Sequence, residues 1–487
     1  MLIICYLVAF ISCIAQQFRG IFPLTNQMLI QGDIYMKVTF ADVDRETLYL
    51  LPPSIQEWLP EKHLARFVVE IVEQINLQPI KASYSGRGSQ PYNPEMLVEL
   101  LFYGYATGVF SSRKLERSTY DSVAFRYIAA NKHPDHDTIA DFRKRFMPQL
   151  TKIFVEILVI AHEMKVLKLG KVSIDGTKVQ ANASKHKALS YGHACKLEKQ
   201  LEAEVAELLQ KAESVDNADI PDGMDIPAEL SIRQKRVKAI KEAKAEIERR
   251  AAERYAEEQK AYQTKVTERA KKEQETGKKV RGKTPLPPTA GPTEKDQVNL
   301  NDRESRIMPT SSGSFEQAYN VQAGVDTETM LIVTTHVTQA PNDKQELEPA
   351  LTNLKQLPQE LGTVTDILAD NGYFSEDNVM LCEENKVTSY IAVNRESHHP
   401  PLMERFKEPP PLPDDANAVN TMKHRLKTKS GKAVYATRKS TIEPVFGIIK
   451  SVMGFRQFLL RGLDAVKGEW DLVCIAFNLK RLYALSK

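Results

Sequence analysis

Three acidic residues stand in contexts that suit a metal ligand. Asp175 lies in Lys171-Val-Ser-Ile-Asp-Gly-Thr-Lys, Asp370 in Thr365-Asp-Ile-Leu-Ala-Asp-Asn-Gly-Tyr, and Glu443 in Ser440-Thr-Ile-Glu-Pro-Val-Phe-Gly. The first two are expected to end short apolar strands and the third to open a helix. A strand end is a rigid place for a ligand, because the sheet fixes the direction of the side chain. Three carboxylates brought together this way can hold two Mg²⁺ or Mn²⁺ ions, which prefer hard oxygen donors. Two such ions about 4 Å apart bracket a scissile phosphate, one activating the nucleophile and the other stabilising the leaving oxygen. That chemistry points to phosphoryl transfer on nucleic acid, and no constellation for a covalent enzyme intermediate competes with it. Taken singly, each acid reads as a turn or surface residue. Their strand order makes the set specific.

The elements that must carry these acids follow from periodicity. The pattern changes at Val166, and Lys171 to Asp175 reads as a short strand. The β pattern resumes at Phe315 with a hairpin of Gln317 to Asp326 and Met330 to Thr338, turning at Asp326-Thr327-Glu328-Thr329. A helix over Gln345 to Leu357, a strand over Val364 to Asp370, a helix over Ser375 to Asn385 and a strand over Thr388 to Val393 follow. Glu396 to Lys432 reads as irregular. Helices across Glu443 to Met453 and Glu469 to Leu485 close the chain. The order implies an α/β fold, a mixed sheet with helices on its faces.

Two helical regions flank and interrupt that sheet. Residues 36–165 read as an all-helical N-terminal domain. Asn93-Pro94-Glu95 forms a start signal there, and Asp137 begins a long helix through Phe142, Phe146, Leu150, Phe154 and Ile157. Arg113, Lys114, Arg117, Arg143, Lys144 and Arg145 on its surface suit a DNA-binding unit, although a plain bundle with a charged exterior reads equally well. Residues 188–298 form an inserted, coiled-coil-like helical hairpin and linker. Leu197, Leu201, Val205 and Leu208 share one helix face, and Leu230, Val237, Ile240, Ile247 and Ala251 follow a loose heptad. The tract from 270 to 298, rich in Lys, Pro and Thr, reads as a flexible link. The mixed core is therefore split into 166–187 and 299–487.

Composition adds bounds. The 487 residues suffice for two or three domains, and 42% hydrophobic content is ordinary for a soluble protein. The net charge of +3 hides a local bias, since Lys423 to Lys487 holds 14 Lys and Arg against 4 Asp and Glu. Such a stretch suits a phosphate backbone as well as it suits a solvated surface. Five scattered cysteines without CxxC spacing suggest a reducing compartment and no structural zinc. The apolar run Leu2 to Ala15 lacks the basic start of an export signal and is too short for a membrane span. Residues 1–35 are expected to be a mis-assigned extension upstream of a start at Met36, with a true export signal as the competing reading.

These motifs resemble those of DDE-type insertion-sequence transposases with a ribonuclease-H-like catalytic core, over nearly all of Met36 to Lys487. Ile174-Asp175-Gly176-Thr177 is similar to the first-acid motif of that family and Ala369-Asp370-Asn371-Gly372-Tyr373 to the second. Tyr435, Arg438, Glu443 and Lys450 resemble the Tyr-x2-Arg-x3-Glu-x6-Lys motif of one branch. Here four residues rather than three separate Arg438 from Glu443, and Lys439 keeps the expected spacing, so either basic residue fits the Arg role. Tyr319-Asn320-Val321-Gln322-Ala323 resembles the second strand of the family, and about Tyr84 to Phe146 its N-terminal domain. The resemblance implies binding to the terminal inverted repeats of a mobile element, cleavage at its ends, and joining to target DNA. Asp175, Asp370 and Glu443 would be the catalytic acids and metal ligands, and Tyr435, Arg438, Lys439 and Lys450 would contact DNA. The partners expected are double-stranded DNA and a second copy of the chain in a synaptic dimer, with no membrane partner and a cytoplasmic, nucleoid-associated location. The alternatives are a nuclease of the same fold without strand transfer, an inactive DNA-binding relic, and a coiled-coil scaffold, which leaves the three acids without a role.

Overall fold

The computed structural model describes residues 54–84, 91–213, 226–277, 282–310, 313–393, 408–413 and 416–487. The extension expected at 1–35 lies outside them. The N-terminal region is helical: α1 (Leu64–Val72), α2 (Pro94–Ala106), α3 (Ser112–Asp121), α4 (Val123–Ile128) and α5 (His136–Glu163). Local chemistry sets the starts. The Asn93 side chain accepts from the Glu95 amide with Pro94 at the first helical position, and Asp135 accepts from Thr138. Every residue of α2 from Met96 to Ala106 is buried, so this helix runs through the interior rather than over the surface.

The sheet is built around β1 (Leu169–Gln180). A small clip follows, in which β2 (Ala188–Ser190) pairs antiparallel with β3 (Gln297–Asn299). Between its arms rises the hairpin of α6 (Tyr191–Glu213) and α7 (Ile226–Thr276). After it come β4 (Arg306–Pro309), β5 (Phe315–Asp326), β6 (Ile332–Thr338), α8 (Leu347–Lys355), β7 (Gly362–Ala369), α9 (Glu376–Glu384), β8 (Thr388–Ile391), α10 (Ala418–Lys427), α11 (Lys429–Gly447) and α12 (Leu463–Leu485). In the sheet β1 is central. It pairs antiparallel with β5 and parallel with β7, and β8 adds parallel beyond β7. The outer edge of β5 is shared by β4 over Phe315–Ala318 and by β6 over Asn320–Val325.

One apolar core runs from the helical region into the sheet. It includes Leu100 and Phe102 of α2, Ile157 of α5, Val172 and Ile174 of β1, Val321 of β5, and Trp470 and Ile475 of α12. A buried polar chain fastens the same parts. Arg143 Nη1 donates to the Tyr105 hydroxyl at 3.0 Å, and that hydroxyl donates to Glu469 Oε1 at 3.1 Å. Glu469 also accepts the amides of Leu459 and Leu460. Arg143 is therefore an interior residue, not part of a basic DNA-facing surface. The hairpin has its own core of Leu189, Ala194, Leu201, Ile240, Ala243, Ile247 and Val298. The tract read as a flexible link is partly helix, since α7 runs to Thr276, and Asp296 is fixed by Arg254 at 3.0 Å.

The sheet also differs from expectation in its detail. β1 continues past Asp175 to Gln180, because Thr177, Lys178 and Val179 keep pairing with Val321, Asn320 and Tyr319. Glu443 does not open a helix. It lies late in α11, which starts fourteen residues earlier at Lys429 behind a Thr428 cap that accepts from the Gly431 amide. Pro444 masked that helix in the sequence, where it reads as a first-turn proline.

Candidate active site

The register of β1 and β7 determines where two of the acids meet. Ser173 is level with Leu368 in this parallel pair, and two residues further along each chain stand Asp175 and Asp370. Asp370 comes immediately after β7 and caps a short turn, its Oδ1 accepting from the Gly372 amide at 2.8 Å. Asp175 Oδ1 accepts from the Gly176 amide at 2.9 Å. α11 packs against β1, β5 and β7, and so brings Glu443 to the same edge.

All three carboxylates surround one guanidinium. Arg438 Nη2 lies 2.9 Å from Asp175 Oδ2 and 3.8 Å from Asp370 Oδ2, and Nη1 lies 3.6 Å from Glu443 Oε1. Exposure is graded: the Arg438 side chain is 8% exposed, Asp175 17%, Asp370 41% and Glu443 54%. Asp175 and Arg438 thus form the floor and Glu443 the rim. Burial raises the Asp175 carboxyl to about 6; Arg438 works against that rise and Asp370 adds to it. Arg438 Nε is buried and finds no hydrogen-bond partner. Among the described residues no group of three or more His, Cys, Asp or Glu side chains is close enough together to hold a metal ion. The Arg438 guanidinium stands among the three carboxylates. The donor set itself, three carboxylates, fits a hard divalent cation.

The basic residues of the motif divide by direction. Arg438 faces the acids, Lys439 is exposed, and Tyr435 is half-buried. Lys450 sits in a π-helical turn, Ile448–Val452, that follows α11. Its ammonium donates to Thr177 Oγ1 at 2.5 Å and to the Lys178 carbonyl at 2.9 Å, so it braces β1 just beyond Asp175. Burial and the neighbouring Lys178 depress its pKa.

Sequence reasoning missed a polar group behind this site. Lys178, Asn320, Gln322, Asp343 and Tyr373 meet beside Gly176. Polar residues at alternate positions of an otherwise apolar strand, Asn320 and Gln322, were the available signal.

Two family models match the chain: "Transposase domain (DUF772)" over residues 53–145 and "Transposase DDE domain" over residues 288–479. No curated protein and no solved structure gives a significant match. The first match spans α1 to α4 and the start of α5, and the second covers Asp370 and Glu443. Asp175 lies outside both, cut off by the hairpin, and only the fold returns it to the other two acids. The chain belongs to the DDE transposases of insertion sequences. It is an enzyme that acts on DNA, in a family that works with a divalent metal. None of the helices among the described residues is long and apolar enough to cross a membrane.

Proposed function

We propose that this transposase binds the terminal inverted repeats of its element and catalyses metal-dependent cleavage and strand transfer, with Asp175, Asp370 and Glu443 as the catalytic acids. The observation that carries this is the convergence of three carboxylates, from β1, the end of β7 and α11, on the single Arg438 guanidinium. Three carboxylates so close together suit a site that receives cationic charge. The sequential order β6–β5–β1–β7–β8, with β7 and β8 parallel to β1, supports a ribonuclease-H-like core.

A bound pair of Mg²⁺ or Mn²⁺ ions would activate the attacking oxygen and stabilise the leaving one. The rest falls to the chain. Asp175 and Asp370 are held by the register of adjacent strands and by the Gly176 and Gly372 amides, so little reorganisation is needed to present them. Arg438 places a positive charge among the three acids. Lys450 uses two of its three ammonium donors on β1 and keeps one for a phosphate oxygen. Lys439 is exposed one residue from Arg438 and suits a backbone phosphate, with Tyr435 one helical turn before it. Bringing two element ends together requires two active sites, which favours a homodimer on double-stranded DNA in the nucleoid of the cytoplasm.

The test is a cleavage and strand-transfer assay with Mg²⁺ on duplexes ending in the inverted repeats that flank the gene. Wild type is compared with Asp175→Asn and Asp370→Asn. Joined product from wild type, with both variants losing it by at least about 10³-fold while still binding the duplex, is the expected result. Cleavage without joining would reduce the function to that of a nuclease. Activity that survives either substitution would remove these acids from the mechanism.

A further inference from the structure

On the sheet face opposite Asp175 a second carboxylate is held more tightly than any in the triad. Side chains alternate along β1, so Gly176 points away from Arg438. A Cβ there would lie 2.2 Å from Gln322 Nε2 and 2.6 Å from Asp343 Oδ1, so the glycine is required by what covers it. Asp343 Oδ1 accepts from Asn320 Nδ2 at 2.7 Å and from Gln322 Nε2 at 2.7 Å, and the Lys178 ammonium lies 3.7 Å away. Gln322 passes the connection on, its Oε1 accepting from the hydroxyl of Tyr373. Tyr373 is completely buried and is the last residue of the turn that begins at Asp370. The Asn378 side chain holds the Tyr373 carbonyl at 2.6 Å and the Lys344 carbonyl at 2.8 Å, so the loop that carries Asp343 is tied to that turn independently.

We propose that Asp343 is a positioning residue for the transposition chemistry, acting through Gln322 and Tyr373 to set the direction of Asp370. The inference rests on the reading that Asp370 is a catalytic acid. The physical argument is one of freedom. The Asp370 side chain is 41% exposed, and the Gly372 amide that bonds to it lies within its own turn. That turn keeps its direction only if something behind it is fixed. Tyr373 supplies a buried hydroxyl, Gln322 relays it, and Asp343 anchors Gln322 with an oxygen that three cationic or N–H donors approach. Asp343 also covers Gly176, next to Asp175, so one carboxylate steadies the backbone beside both strand-borne acids.

The test uses the full chain and four proteins: wild type, Asp343→Asn, Asp343→Ala and Tyr373→Phe. Asn at 343 keeps the accepting oxygen and loses the charge, whereas Ala loses both. Phe at 373 cuts the relay at its other end while removing only a hydroxyl. Hydrogen exchange of the Asn371–Tyr373 amides, followed without metal or DNA, reads the position directly. These amides should exchange at least about tenfold faster in Asp343→Ala and Tyr373→Phe, and like wild type in Asp343→Asn. In Mn²⁺-titrated cleavage the two disruptive variants should need about tenfold more metal, with the rate at saturation within about threefold of wild type. Unchanged exchange in all variants would overturn the proposal, whatever the activity. So would an Asp343→Asn protein with normal exchange and a metal requirement as high as that of Asp343→Ala, which would make Asp343 a ligand through its charge. A wild type that cleaves nothing would sink the catalytic reading alone, because the exchange comparison does not need activity.

Discussion

At the scale of single residues, Arg438 is the side chain with the most to lose or gain. Its guanidinium sets one positive charge against three acids and is itself 8% exposed. Removing one partner of a buried ionic group strands the others, at a cost of about 3 kcal/mol in metal-free buffer. Arg438→Ala should therefore unfold at lower temperature than wild type. Added Mg²⁺ should recover more stability in the variant than in wild type, because the ion and the guanidinium serve the same carboxylates. Thermal melts with and without Mg²⁺ check this; equal gains in both proteins would mean the two cations occupy different places. Glu99 gives a second prediction. It is 7% exposed in α2, and burial raises its carboxyl to about 8 from an ordinary 4.5. A raised folded-state value means the native chain holds a proton that the unfolded chain releases. Stability is then fully present below about pH 4.5 and declines as pH rises through about 8. Glu99→Gln should flatten that decline and be the more stable protein at pH 8, by on the order of 1–3 kcal/mol in denaturant titrations.

At the scale of elements, legibility followed the strength of the local signal. The strands bearing Asp175 and Asp370, the hairpin turn at Asp326–Thr329 and the two-helix insertion were readable, because each has a local apolar pattern or clear punctuation. The convergence of the three acids was an inference from strand order alone; in the fold each of them lies within 4 Å of the Arg438 guanidinium. Three things were hidden. α10 and the first turns of α11 carry Lys, Arg, Thr and Ser in a stretch that reads as loop, and only packing against β7, β8 and α9 makes them helical. The inward turn of Arg438 depends on helix phase, which an assumed start at Glu443 puts wrong. The pairing of Asp343 with Gln322 joins side chains 21 residues apart whose meeting no periodicity encodes. Lys450 belongs to this scale as well. It clamps a π turn onto β1, and Lys450→Ala should slow cleavage by about 10–100-fold while leaving duplex binding within a few-fold of wild type. Gel-shift and single-turnover cleavage measurements would separate those effects; a purely binding defect would assign Lys450 to DNA recognition alone.

At the scale of the whole molecule, two apolar cores are present among the described residues, and the three proposed acids belong to the elements of one of them. The hairpin closes on the β2–β3 clip, where Ala188 faces Asn299 and Ser190 faces Gln297, so its two ends leave the catalytic body side by side. Replacing 192–295 with a short Gly-Asn turn should leave the remaining chain folded with a melting temperature within about 5 °C of the parent. Circular dichroism should lose helix signal without loss of the main transition, and collapse of that transition would mean the hairpin is part of the catalytic body. The helical N-terminal region behaves oppositely. It shares its apolar core with the sheet and its buried Arg143–Tyr105–Glu469 chain with α12, so it is expected to melt together with the sheet.

The place of β1 in the chain also sets a timetable. Both of its partners in the sheet are made late, β5 at Phe315 and β7 at Gly362, whereas β1 itself is complete at Gln180. At roughly 5–20 residues added per second, β1 leaves the ribosome many seconds before either neighbour exists. Through that interval its two edges are open to any strand that passes. The hairpin is made during the wait, and by folding locally it draws Ala188 and Asn299 together and shortens the loop that β1 must close to find β5. A nascent chain that has not yet passed α11 would lack Glu443, one of the three proposed acids.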